Sequence, residues 1–140
     1  MKDVFYGWID TIQPLKAERL GSAVCFGDGK GNFTIKDLPA ELQLAPIFSF
    51  QKVNGLAGNK KSYLAGGNFY DVIPYEGRYD AQPLALFTVD VNKECSPWFQ
   101  PNLATLNGQV RDIKWLNNGA GKRVLAIACN NDKIVSYTMQ

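Results

Sequence analysis

The sequence predicts an all-β fold built from antiparallel, four-stranded units. Three observations carry that expectation. Apolar and polar residues alternate with the two-residue period of a half-buried strand in nine short stretches. Clusters of Gly, Asn, Asp and Pro separate those stretches and supply turns. Aromatic residues make up 12% of the chain, and such side chains pack well on a pleated sheet.

In chain order, "QPLKAERL" is the one stretch that reads as helix, with Pro14 placed for a first helical turn. "SAVCF" then runs through "GDGKGN" into "FTIKDL", which is a hairpin with a glycine-rich turn. "APIFSFQKV" alternates and breaks at "NGLAGN". "KSYLAGGNF" follows and leads into a long loop rich in tyrosine and charge. "PLALFTVDV" alternates, turns at "NKEC" and gives a short "SPWFQP". "QVRDIKWL", "KRVLAIAC" and "KIVSYTM" complete the set, joined by "NNGAG" and "NND".

A chain of 140 residues fits one domain, and at that size roughly 68–70% of the unfolded surface is buried on folding. The 46% hydrophobic and 20% charged composition is that of a globular chain. A net charge of +2 with both signs interspersed gives no dedicated nucleic-acid surface, since Lys60-Lys61 and Lys122-Arg123 are pairs and not patches. No apolar run approaches the roughly 18 residues that span a membrane, so no membrane insertion is expected. "MKDVFYGWIDTIQPLK" lacks a sustained apolar core, interrupted as it is by Asp3 and Asp10, and is not read as a signal peptide. Cys25, Cys95 and Cys129 are far apart, without metal-type spacing. They are expected to be buried free thiols, with one disulfide and one free thiol as the other reading. The chain has no histidine. That removes the commonest general base and transition-metal ligand, and it excludes a Ser-His-Asp arrangement around Ser22, Ser49, Ser62, Ser96 or Ser136.

An internal repeat underlies the strand pattern. "LPAEL…PIFSFQKVNGLAGNKKSYLAGGN" and "QPNLA…VRDIKWLNNGAGKRVLAIACN" match in order, and Pro39 and Pro101, Lys60 and Lys122, and Asn68 and Asn130 are each 62 residues apart. The first unit holds the long loop where the second has only "NND". Four antiparallel strands with tight turns describe a propeller blade or a meander. A β-sandwich of two similar halves is the competing architecture. The expected organisation is a single domain over 1–140. It consists of an N-terminal extension with a short helix (1–21), an outer hairpin (22–37), a complete blade (38–100) and a last, three-stranded blade (101–140). About two and a half blades make an incomplete propeller, whose open edges are expected to be covered by the N-terminal segment or, as a homodimer, by a second copy.

With the repeat in view, "CFGDGKGNFTIKDLP", "YLAGGNFYDVIPYEGRYDAQ" and "GQVRDIKWL…LAIACNND" carry a resemblance to the FG-GAP/VCBS repeat β-propeller family, specifically the C-terminal portion of its long bacterial members. The resemblance covers about residues 16–140. It implies blades, a non-catalytic role in recognition, and a periplasmic or cell-surface location. Many repeats of that family hold calcium in an acidic loop. The corresponding "VNGLAGNKKS" and "LNNGAGKRVL" carry no carboxylate, so neither calcium nor any other cofactor is expected here.

The candidate site is the long loop. Asn68, Tyr70, Tyr75, Arg78, Tyr79 and Asp80 supply aromatic faces and hydrogen-bonding groups over a short span, and tyrosine and arginine dominate binding hot spots. The structural reading beside it is that Phe69, Tyr70 and Tyr79 cover the sheet while Arg78 pairs with Asp80 or Asp71. Asp112, between Arg111 and Lys114, is expected to pair across the sheet. Trp8, Trp98 and Trp115 are expected in the core, Trp98 being the most exposed of the three. The functional expectation is a scaffold or recognition surface for a protein or glycan partner. The alternative is a histidine-free glycan hydrolase, which needs two carboxyl groups about 5–10 Å apart in one cleft.

Overall fold

The computed structural model describes residues 13, 15–54, 58–98 and 106–138. Nine strands in these residues form three antiparallel sheets, each a meander in chain order. Strands β1 (Ala23–Gly27) and β2 (Phe33–Asp37) make a hairpin. Strands β3 (Ile47–Val53), β4 (Lys61–Gly67), β5 (Ala85–Val89) and β6 (Cys95–Trp98) make a four-stranded sheet. Strands β7 (Val110–Asn117), β8 (Arg123–Cys129) and β9 (Val135–Thr138) make a three-stranded one. Each stretch with strand periodicity has become a strand. The expected helix has not formed: Leu15–Leu20 is irregular and exposed, and Pro14 lies outside the described residues. Eight residues are too few to hold a helix in water without a packed face, and Leu15 and Leu20 are 100% and 90% exposed.

Strand pairing makes the repeat concrete. Ile47 pairs with Gly67 and, after a bulge, Ser49 with Gly66. Val110 pairs with Cys129 and, after the same bulge, Asp112 with Ala128. Likewise Gly27 pairs with Phe33 in the hairpin, and 62 residues later Val89 pairs with Cys95. The turns repeat too. In each of Asp28, Asp90 and Asn118 the side-chain Oδ1 accepts the backbone N–H groups two and four residues on, at 2.7–3.1 Å. This is the local side-chain bond that makes Asp and Asn turn residues. β1–β2 is therefore the counterpart of β5–β6, and β7–β8–β9 the counterpart of β3–β4–β5.

The sheets stack face to face, with the four-stranded sheet in the middle. One face of it contributes Val53, Leu64 and Leu86 to a core shared with Val110, Ile113, Leu125 and Ile127 of the three-stranded sheet. The other contributes Ala65, Phe87 and Val89 to a second core with Leu38 and Leu42, against which Val24 and Phe26 of the hairpin pack. Burial on both faces explains why β4 and β5 lose their polar phase and read as nearly continuous apolar runs. Trp98 and Trp115 are half-buried against the first core; Trp8 lies outside the described residues. All three cysteines are free thiols. Cys25 corrects the expectation of burial, because it sits on the outward phase of β1 and is exposed.

Candidate functional site

The long loop leaves β4 at Asn68 and returns at Leu84. Its size is defined by the repeat. On the β4 side, counterparts are 62 residues apart (Gly67 and Cys129); on the β5 side they are 50 apart (Ala85 and Val135). The first unit thus carries a twelve-residue insert.

One buried side-chain amide, that of Asn68, holds the root of that insert. Asn68 is 1% exposed, and its backbone takes a left-handed φ of 77°. Its N–H donates to the Pro46 carbonyl at 2.9 Å, and its Nδ2 donates to the Gly108 carbonyl at 3.2 Å. Its Oδ1 accepts the N–H of Gln82 at 2.9 Å, tying the two ends of the loop together. Of the six candidate residues, Asn68 is therefore not on the surface: both its side-chain polar atoms are spent on backbone. Past the root, Phe69 and Tyr79 exchange two backbone hydrogen bonds of 2.9 Å, a one-rung ladder that narrows the loop to a neck. A turn closed by the Glu76 N–H on the Ile73 carbonyl ends the loop.

Of the other five candidates, Tyr70, Tyr75 and Arg78 lie beyond the neck, Tyr79 is on it and Asp80 is between the neck and the root. Tyr75 is 85% exposed at the tip, and Arg78, Tyr79 and Asp80 are exposed as well. Tyr70 is half-buried, with the Arg78 guanidinium 5.2 Å from its ring centroid. Among the described residues Arg78 makes no ion pair with Asp71 or Asp80, so this cation–π stack takes the place of the expected staple. Tyr79 also edges a cleft of about 930 Å³, lined besides by Arg19, Asp37, Gln43 and Pro46.

Sequence reading missed Phe48 and Arg111. They occupy the same bulge in the two repeats, which turns both side chains out of register and toward each other. The Arg111 guanidinium lies 4.3 Å from the Phe48 ring centroid and 6.0 Å from that of Phe69. Its Nη1 donates to the Asn68 carbonyl at 3.0 Å, and its Nη2 to Gln109 Oε1 at 2.5 Å. The same Gln109 oxygen accepts the Tyr70 N–H at 3.2 Å. Phe48 remains 48% exposed, so the aromatic surface continues from the loop onto the sheet. At the 62-residue spacing of the repeat Arg111 falls opposite Ser49, and only the strand register, one residue on, sets it in the same bulge as Phe48.

Most acids outside the loop already serve the fold. Asp28 and Asp90 close turns; the Asn32 side chain and the Lys30 N–H hold the Asp28 carboxyl below the usual range. Asp37 pairs with Arg19 and Glu94 with Lys36. Asp112 is 3.4 Å from Lys114 on its own strand and accepts from Ser49 Oγ at 3.3 Å across the sheets. Desolvation opposes ionisation of Asp112, yet the Ile113 N–H and Lys114 outweigh it and lower its pKa. Burial raises the Cys95 and Cys129 thiols, helped by Glu94 and Asp132 respectively. Among the described residues no three His, Cys, Asp or Glu side chains gather as a metal site would require, and no helix is long and apolar enough to cross a membrane. No family model matches the chain, and no curated protein or solved structure matches it either.

Proposed function

We propose that the chain is a non-catalytic, propeller-type repeat module of the FG-GAP/VCBS kind, whose inserted loop recognises a protein or a glycan. The observation that carries this reading is the insert itself. Twelve residues interrupt one of two copies of an otherwise matching register, and they end in exposed tyrosines on a root fixed by Asn68 and Gln82. Loops held rigidly by a scaffold lose little entropy on binding, which is why recognition residues collect there. Tyr70, Tyr75, Arg78, Tyr79 and Asp80 form the contact surface, extended by Phe48. The face-to-face stacking of successive repeats supports the propeller-type architecture. The resemblance puts the module in the periplasm or at the cell surface. A glycan hydrolase is the weaker reading, because Asp28, Asp37, Asp90, Glu94 and Asp112 are all committed to turns or ion pairs.

The test uses the full chain against two probes, an array of immobilised glycans and a phage-displayed peptide library. The Tyr75→Ala/Arg78→Ala double variant is compared with the wild type. Selective binders that weaken at least tenfold in the variant support the reading. Binders indifferent to the variant, or none from either probe, would sink it.

A further inference from the structure

Stacking in this molecule follows one rule, and the rule leaves two faces unsatisfied. In each unit, one face points onward along the chain and the other points back. Onward faces carry Val24 and Phe26 in the hairpin and Val53, Leu64 and Leu86 in the four-stranded sheet. Backward faces carry Ala65, Phe87 and Val89 in the four-stranded sheet and Ile113, Leu125 and Ile127 in the three-stranded one. The strand registers make these sets equivalent: Leu86 and Val24 are counterparts, as are Ala65 and Ile127. Every internal interface thus joins an onward face to a backward face.

The hairpin's backward face carries Cys25, Phe33 and Ile35, counterparts of Phe87, Cys95 and Pro97. Among the described residues nothing covers it: Phe33 is 68% and Ile35 50% exposed. At the other end, the onward face of the three-stranded sheet carries Leu116, Val124, Ala126 and Ala128, counterparts of Val53, Ser62, Leu64 and Gly66. Leu116 is 51% exposed and the other three half-buried. The hairpin's open face holds the counterparts of β5 and β6 alone. Of these, Phe87 lies in the second core, Cys95 packs against it and Pro97 is exposed. The two open faces thus match the internal interfaces in direction and in part of their residues.

We propose that a second copy of this chain occupies them head to tail, the three-stranded sheet of each copy seated on the hairpin of the other. The inference stands on the repeat, independently of the loop's function, and it assigns the contact to sheet faces where open edges alone had suggested homodimerisation. Head-to-tail contacts either close into a ring or run on as a filament. Radially stacked sheets close with about 4–8 members. The described residues of one copy bring three sheets and those of two copies six, a number within that range.

The experiment is light scattering after size exclusion on the full chain, with a substitution on each face. The wild type is expected at twice its 15.5 kDa. Ile35→Asp blocks one face and Ala126→Glu the other; each variant alone is expected as a monomer with an unchanged far-UV circular dichroism spectrum. Phe33→Ser stands in if Ile35→Asp unfolds. Mixing the two variants restores one intact contact between unlike copies, so the mixed sample gains mass with concentration. Alkylation of Cys25 in the wild type slows several-fold as the dimer forms. A wild-type monomer at high micromolar concentration, a dimer that survives Ile35→Asp, or a mixture that fails to associate overturns the proposal. Mass that grows past two copies overturns the closed ring.

Discussion

Asn68 shows how one residue can look like a ligand contact and be a joint. The residues that follow it, Phe69 and Tyr70, are aromatic and open a tyrosine-rich loop, so composition places it among the binding residues. What separates it is the left-handed φ of 77°, together with three backbone partners, the Pro46 and Gly108 carbonyls and the Gln82 N–H, and one side chain, the Arg111 guanidinium on its own carbonyl. Asn tolerates that conformation better than most residues with a side chain. Asn68→Ala leaves the Gln82 N–H and the Gly108 carbonyl unpaired in a buried place and adds backbone strain, for a loss of about 2–4 kcal/mol. Asn68→Gly removes the same bonds and relieves the strain, so its loss should be smaller by about 1 kcal/mol. Urea midpoints of the two variants check the ordering. Equal losses would mean that the φ carries no strain. Nothing in a single sequence distinguishes such a joint from a contact, except that Asn130 stands at the same place in the other repeat. There its N–H donates to the Gln109 carbonyl at 2.8 Å, as that of Asn68 does to Pro46.

At the scale of elements, two glycines at the end of β4 allow close approaches, Gly67 to the start of the neighbouring strand β3 and Gly66 to the three-stranded sheet. A Cβ on Gly67 would lie 1.8 Å from the Pro46 carbonyl oxygen, which is backbone and cannot swing aside. A Cβ on Gly66 would lie 2.6 Å from Val110 Cγ1 and 2.9 Å from its Cβ, a smaller overlap that a slight shift of β7 relieves. Gly67→Ala is therefore expected to cost about 3 kcal/mol or more, at the upper end of overpacking. Gly66→Ala should cost about 1–2 kcal/mol. Thermal melts of both variants give the comparison, and a milder effect at Gly67 would contradict the geometry. These contacts also mark the limit of sequence reading. Period-two alternation located all nine strands, because a strand's pattern is local. The expected helix has not formed over Leu15–Leu20, where a run of helix formers had no face to bury. Alternation was silent on Arg111, because the bulge that turns this side chain toward Phe48 leaves no mark on it.

For the whole molecule, the question is whether the insert serves the scaffold or the scaffold serves the insert. The repeat supplies the control, since the second unit closes the same gap with Asn131–Lys133. Exchanging Phe69–Pro83 for those three residues keeps Asn68 and Leu84, whose counterparts are Asn130 and Ile134. The connection between Asn68 and Ala85 then shrinks from sixteen residues to four, which lowers loop-closure entropy by about 1.2 kcal/mol. Against that gain stand the packing of half-buried Phe69 on Phe48 and Arg111, and the hydrogen bonds from Gln82 to Asn68 and from Tyr70 to Gln109. Together these are worth about 2–4 kcal/mol. The difference is small beside the two cores, neither of which draws a residue from Phe69–Pro83. The shortened chain should keep a single cooperative urea transition, with a midpoint corresponding to a loss of no more than about 3 kcal/mol. It should also lose whatever binding the glycan array or peptide library reveals. A chain that unfolds, or whose transition broadens, would show instead that the insert caps the sheets. Tyr75 would then be exposed for no functional reason. The magnitudes favour a scaffold that stands without its loop.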